Sequence, residues 1–101
     1  MTNNKTIEMY INSRMAEMDN ILLYAQDQMN ECDDPDKGKE YWRTWALDYV
    51  RNEYEKAFGA LVYVNVYEHS VDDEQYDVLV GELFKQWTKS EKDIWIALYA
   101  D

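Results

Sequence analysis

One cysteine, one histidine, one proline and three glycines occur among the 101 residues. A lone cysteine has no internal disulfide or CxxC partner, which fits a reducing compartment. A lone histidine, His69, cannot supply the histidine pairs on which many metal centres are built. Phosphate-cradling loops are missing too: Gly38-Lys39 has no glycine five residues upstream, and no GxGxxG occurs. No run of 18 or more apolar residues is present, and the start MTNNKTIEMY lacks the basic opening and long apolar stretch of a secretion signal. These absences point to a soluble protein of the cytoplasm.

The remaining chemistry is thin. Cys32 and His69 would form the one nucleophile–base pair, but Cys32 falls in an apolar stripe, where a thiol serves packing. The turn Asp33-Asp34-Pro35-Asp36-Lys37-Gly38 fails as a calcium loop: with Gly38 at position six, Pro35 falls at three, Lys37 at five and Thr44 at twelve. Carboxylates abound, yet an acid–base pair needs a pocket that separates two pKa values, and no pattern marks one. The expectation is a non-enzyme with no catalytic residue, no cofactor and no metal.

What the chain does contain is apolar surface, at 47% of residues, and aromatic rings, at 15%, enough to fold one domain over residues 1–101. Few turn-forming residues argue against an all-β chain. Ile11, Met15, Met18, Leu22, Ala25, Met29 and Cys32 step by four and three, predicting a helix from Asn4 to about Cys32. The same spacing would also serve as a homodimer seam. Pro35 behind Asp34 reads as a restart, with Asp34 as cap and Asp36 favourable beside the helix N-terminus. The second helix carries Trp42, Trp45, Ala46, Tyr49, Val50, Ala57 and Phe58 and is expected to end near Gly59. Ser70 with Asp73, and Ser90 with Asp93, read as capping boxes opening a third and a fourth helix. The third has Val71, Val78, Leu79, Leu83, Phe84 and Trp87 as its apolar face. The fold class is therefore mainly α, a small four-helix domain. If residues 61–67 and 94–99 are strands instead, they form a two-stranded β ribbon and the class is α+β.

Charge is the functional lead. Acidic side chains number 21 against 10 basic, a net charge of −11. The excess lies in two stretches without a lysine or arginine: residues 15–36, with Glu17, Asp19, Asp27, Glu31, Asp33, Asp34 and Asp36, and residues 57–84, with Glu68, Asp72, Asp73, Glu74, Asp77 and Glu82. On the first helix Glu17, Asn20, Tyr24, Asp27 and Glu31 form a ridge expected to lie opposite the apolar stripe, facing solvent. As continuous helix, residues 17–36 would carry one carboxylate per ~4 Å, against one phosphate per ~3.4 Å of a DNA strand. Asp73 and Asp77, four apart, repel each other by a few tenths of a kcal/mol (~0.3), which a cationic partner would relieve. Nine tyrosines and four tryptophans exceed what so small a core holds, so several are expected at an interface, Tyr24, Tyr67 and Tyr76 beside the acids.

These features together predict a non-enzymatic inhibitor that imitates DNA and occupies the positively charged nucleic-acid groove of a target protein. Glu17, Tyr24, Asp27, Glu31, Asp33, Asp34, Asp36, Asp72, Asp73, Glu74 and Asp77 would contact that partner. By analogy of class, such inhibitors are typical of phages, where the target is a restriction or CRISPR nuclease in the host cytoplasm. Direct nucleic-acid binding through Lys37, Lys39, Arg43 and Arg51, interleaved with Tyr41, Trp42 and Trp45, is disfavoured by the overall negative field. The alternative is a helical adaptor that oligomerises through Ile11–Cys32 without imitating DNA.

Overall fold

Three helices account for nearly all of the computed structural model: α1 (Asn4–Asn30), α2 (Pro35–Val66) and α3 (Asp73–Ala97). It describes residues 4–98, apart from the side chains of residues 4, 5, 35 and 36. The helices form an up-down-up bundle, a rod of 51 × 20 × 16 Å whose length is that of α2. Side-chain bonds give the register. Glu8 pairs with Gln75 and Asp19 with Gln86, both 67 residues apart, so α1 and α3 run parallel. Arg14–Glu53 and Glu17–Tyr49 set α2 antiparallel to α1.

Of the expected α1 stripe, Ile11, Met18 and Ala25 are buried and Met15, Leu22 and Met29 pack at its edge, while Ile7 and Ile21, outside that stripe, are buried with it. This stripe is covered by the chain's own α2 and α3, so it is core and not a free dimer seam. Asp34 caps α2, its Oδ1 accepting from the Lys37 backbone N–H at 3.4 Å behind Pro35 at the first helical turn. Gly38 lies against Cys32, where an added Cβ would stand 3.0 Å from Sγ, so the α1–α2 corner closes on a residue without a side chain.

The structure differs from the sequence expectations at several points. There is no fourth helix, and no strand among the described residues. Residues 61–66 extend α2, because Leu61 and Val64 continue the buried row Ala46, Val50, Glu53, Ala57. Burying a Leu or Val side chain contributes roughly 1.5–3 kcal/mol, more than the few tenths (~0.5) that a β-branched residue costs in a helix. Ser90 opens no helix: it sits inside α3 in the buried row Leu79, Leu83, Ser90, Ile94 and accepts from Gln86 Nε2 at 3.0 Å. Residues 94–97 therefore belong to α3, while Tyr99 lies outside the described residues. On α3, Val78 and Phe84 point away from Leu79 and Leu83, each 54% exposed, so they are not part of its core face.

The α2–α3 turn is held differently from the expected capping box. Asp72, not Ser70, is the N-cap of α3, its Oδ1 accepting from the Gln75 N–H at 2.7 Å. His69 turns the chain with φ of 53°, a left-handed conformation that histidine tolerates better than most residues. Ser70 donates its backbone N–H to Val64 at 3.1 Å, while its hydroxyl is buried without a hydrogen-bond partner. Asp72→Ala is accordingly expected to cost about 1 kcal/mol in urea unfolding. Ser70→Ala should be neutral or stabilising, since it removes an unsatisfied buried hydroxyl. The opposite order would show that Ser70 is the working cap.

Candidate protein-binding surface

The register separates the two acidic stretches. The start of α3 lies beside the start of α1, whereas Asp27 and Glu31 lie about 30 Å further along the rod at 1.5 Å per residue. The carboxylates of α3 and of late α1 therefore form two sites on one rod, not one patch.

The end built from late α2 and early α3 carries a cluster of acids; the side chain of Lys5, which lies near the start of α1 at this end, is outside those described. Asp72, Asp73, Glu74 and Asp77 are exposed, as is Glu68 in the turn. No lysine or arginine occurs between residues 57 and 84. Arg14, the nearest guanidinium along α1, is held at 2.8 Å by Glu53. Among the described residues, Asp73, Glu74 and Asp77 make no ion pair. Tyr63 and Tyr67 stand on the same end, ring centroids 5.4 Å apart, 53% and 72% exposed. Tyr76 instead packs against the core. The Tyr63–Tyr67 pair is missed when residues 61–67 are read as a strand, because alternation sends them to one face but does not stack them, whereas i,i+4 helical spacing does.

The other end is mixed. Asp27, Glu31, Asp33 and Asp34 are exposed and, among the described residues, make no ion pair; the side chain of Asp36 lies outside those described. The fold brings Lys37, Lys39 and Arg43 of early α2, and Lys89 and Lys92 of late α3, to this end. Lys89 Nζ lies 3.5 Å from Asp19 and 3.2 Å from Asp93. Its hydrogen bond to Asp93 and the charge of Asp19 raise its pKa. Arg43 stacks over Trp95 at 4.5 Å and donates to the Leu98 carbonyl at 3.4 Å, close to the limit of a hydrogen bond.

The expected ridge does not lie opposite the core along its whole length. Glu17 accepts a hydrogen bond from the Tyr49 hydroxyl at 3.3 Å. Desolvation, with Glu17 and Glu53 close by, pushes the Tyr49 pKa above its usual value. Tyr24 lies against Trp45 and Trp42, at 5.3 and 6.1 Å between ring centroids, and is still 49% exposed. Tyr41 extends this row, 5.0 Å from Trp42 and 62% exposed. The result is an aromatic ladder along the α1–α2 groove, with Asn20, Ile21 and Tyr24 lining a shallow hollow of about 300 Å³. Amphipathic rings at a helix–helix groove are the side chains enriched in protein interfaces.

No group of three or more histidine, cysteine or carboxylate side chains among the described residues is arranged to hold a metal ion. No helix among them is long and apolar enough to cross a membrane. Compared with known proteins, the chain matches no family model, no curated protein and no solved structure.

Proposed function

We propose that this protein is a non-catalytic inhibitor whose carboxylates occupy the basic, nucleic-acid-binding groove of a partner protein in place of DNA. The observation that carries this reading is the unpaired state of Asp73, Glu74 and Asp77 at the α2–α3 end. They crowd one helix turn and its neighbour, repel one another, and have no intramolecular cation within a 28-residue stretch of chain. Acids at a helix N-terminus are favoured by its dipole, which accounts for Asp73 and Glu74 but not for Asp77, a turn further on. Arginines and lysines of a partner would neutralise all three, and Tyr63 and Tyr67 supply flat amphipathic surface beside them. The phage anti-restriction or anti-CRISPR class is one setting in which such a surface serves.

The end with Asp27, Glu31, Asp33, Asp34 and Asp36 is the secondary contact, since lysines from two helices share it. An oligomeric adaptor reading has lost the α1 stripe as its seam and needs another surface. The test is retention of a partner on the immobilised protein, with and without competing duplex DNA. Duplex DNA should displace the partner, and retention should fall steeply between 50 and 200 mM salt, as counterion release demands. Asp73→Asn, Glu74→Gln and Asp77→Asn together should weaken binding about 100-fold; Asp27→Asn with Glu31→Gln should weaken it less. A partner that duplex DNA leaves in place sinks the proposal.

A further inference from the structure

The outward face of α3 carries exposed apolar side chains, a notch, and charges of opposite sense at its two ends. Glu74, Asp77, Val78, Gly81, Phe84, Lys85, Thr88, Lys92 and Ile96 all lie within about 60° of the Gly81 direction on a 3.6-residue helix. That side is opposite the buried Leu79, Leu83, Ser90 and Ile94. Val78 and Phe84 are each 54% exposed and Ile96 69%. An added Cβ at Gly81 would meet nothing within 4 Å, so the helix surface has a notch at its centre. Gly81, Phe84, Thr88 and Ile96, together with the charged side chains of Lys85, Lys89, Lys92 and Asp93, line an open groove of about 780 Å³ over this face.

We infer that this face pairs with the same face of a second copy, antiparallel, as a twofold-symmetric dimer. Charge selects the occupant and its direction. The first half of the face carries Glu74 and Asp77, the second half Lys85 and Lys92, and among the described residues none of these four makes an ion pair. Antiparallel pairing centred between Phe84 and Lys85 sets Asp77 against Lys92 of the second copy, and Gly81 against its Thr88. Twofold symmetry repeats each pair, so one complementary contact becomes two, and in the dimer Asp77 is met by the second copy while Asp73 and Glu74 stay open to a basic partner. Parallel pairing would set acids against acids. The helix dipoles are also opposed in the antiparallel arrangement, which is the favourable sense. Small residues facing each other on either side of the crossing, Gly81 against Thr88, let the backbones approach, and Phe84 of each copy lies at the crossing itself. The two Phe84 rings and the two Asp77–Lys92 pairs oppose the repulsion between two chains of net charge −11.

Sedimentation equilibrium of the purified protein tests this independently of any partner. A reversible dimer is expected below ~1 mM, because one helix face makes a small interface. Phe84→Glu should leave a monomer. Lys92→Glu alone, and Asp77→Lys alone, should each weaken the dimer about tenfold or more, while the double variant Asp77→Lys/Lys92→Glu should restore it by exchanging the charges. All three sites are exposed, so far-ultraviolet circular dichroism should be unchanged. A protein that stays monomeric, a dimer indifferent to Phe84→Glu, or a charge exchange that fails to restore pairing overturns the inference.

Discussion

Arg14→Met should cost about 3 kcal/mol of folding stability, the cost of leaving a buried carboxylate without its main partner. Glu53 is 3% exposed and lies in the α2 core row between Val50 and Ala57. Its Oε2 takes the Arg14 guanidinium at 2.8 Å, and its Oε1 takes Lys56 at 3.4 Å from a side chain that is 59% exposed. Lys56 is largely hydrated on a flexible four-carbon stem, so it cannot replace the guanidinium, but it keeps the loss at the lower end of the usual range. Arg14 also lies 5.6 Å from the Tyr10 ring, a smaller contribution lost with it. A domain of this size is stable by roughly 5–15 kcal/mol, so a loss of this order moves the urea midpoint well outside error. The double variant Arg14→Met/Glu53→Met should return to within about 1 kcal/mol of the parent, since apolar side chains of similar volume replace buried ion pairs at little cost. If the single variant unfolds at the parent midpoint, the pair does not hold the carboxylate. If the double variant is as weak as the single, Glu53 contributes by some route other than its charge.

Leu83→Ala should be nearly as damaging, at about 2–4 kcal/mol, while Phe84→Ala at the next position should cost under about 0.5 kcal/mol in the dilute protein. Leu83 is fully buried where α3 meets the other two helices, and a rod only 16 Å thick has one layer of side chains there. Nothing beyond that layer can shift to refill the space, so transfer energy and cavity are both lost. Phe84 points outward, touching Trp87 at 5.9 Å between ring centroids, and loses little when truncated. The two variants therefore separate by property: Leu83→Ala lowers the unfolding midpoint, whereas Phe84→Ala lowers self-association and leaves the midpoint in place. A Phe84→Ala protein that unfolds as early as Leu83→Ala would place Phe84 in the core.

Periodicity and capping residues alone determined the helical class, the α1 stripe from Ile11 to Met29, and the restart at Asp34-Pro35. Each of these depends on contacts within four residues, where helix geometry leaves little freedom. The acidic excess was equally legible, because charge is additive along the chain. The tertiary structure decided the rest. Whether residues 61–66 continued a helix depended on what Leu61 and Val64 would meet across the bundle, and burial against α1 and α3 outweighed their strand preference. Ser90 could be a cap or a core residue by its type, and only the packing of α3 chose. Charge placement in space followed from register: antiparallel chain reversal carried the lysines of α2 and α3 to one end of the rod, and left Asp73, Glu74 and Asp77 at the other with no ion pair among the described residues. A sequence orders charges in one dimension, whereas Coulomb interactions depend on distance in three, and only folding converts one into the other.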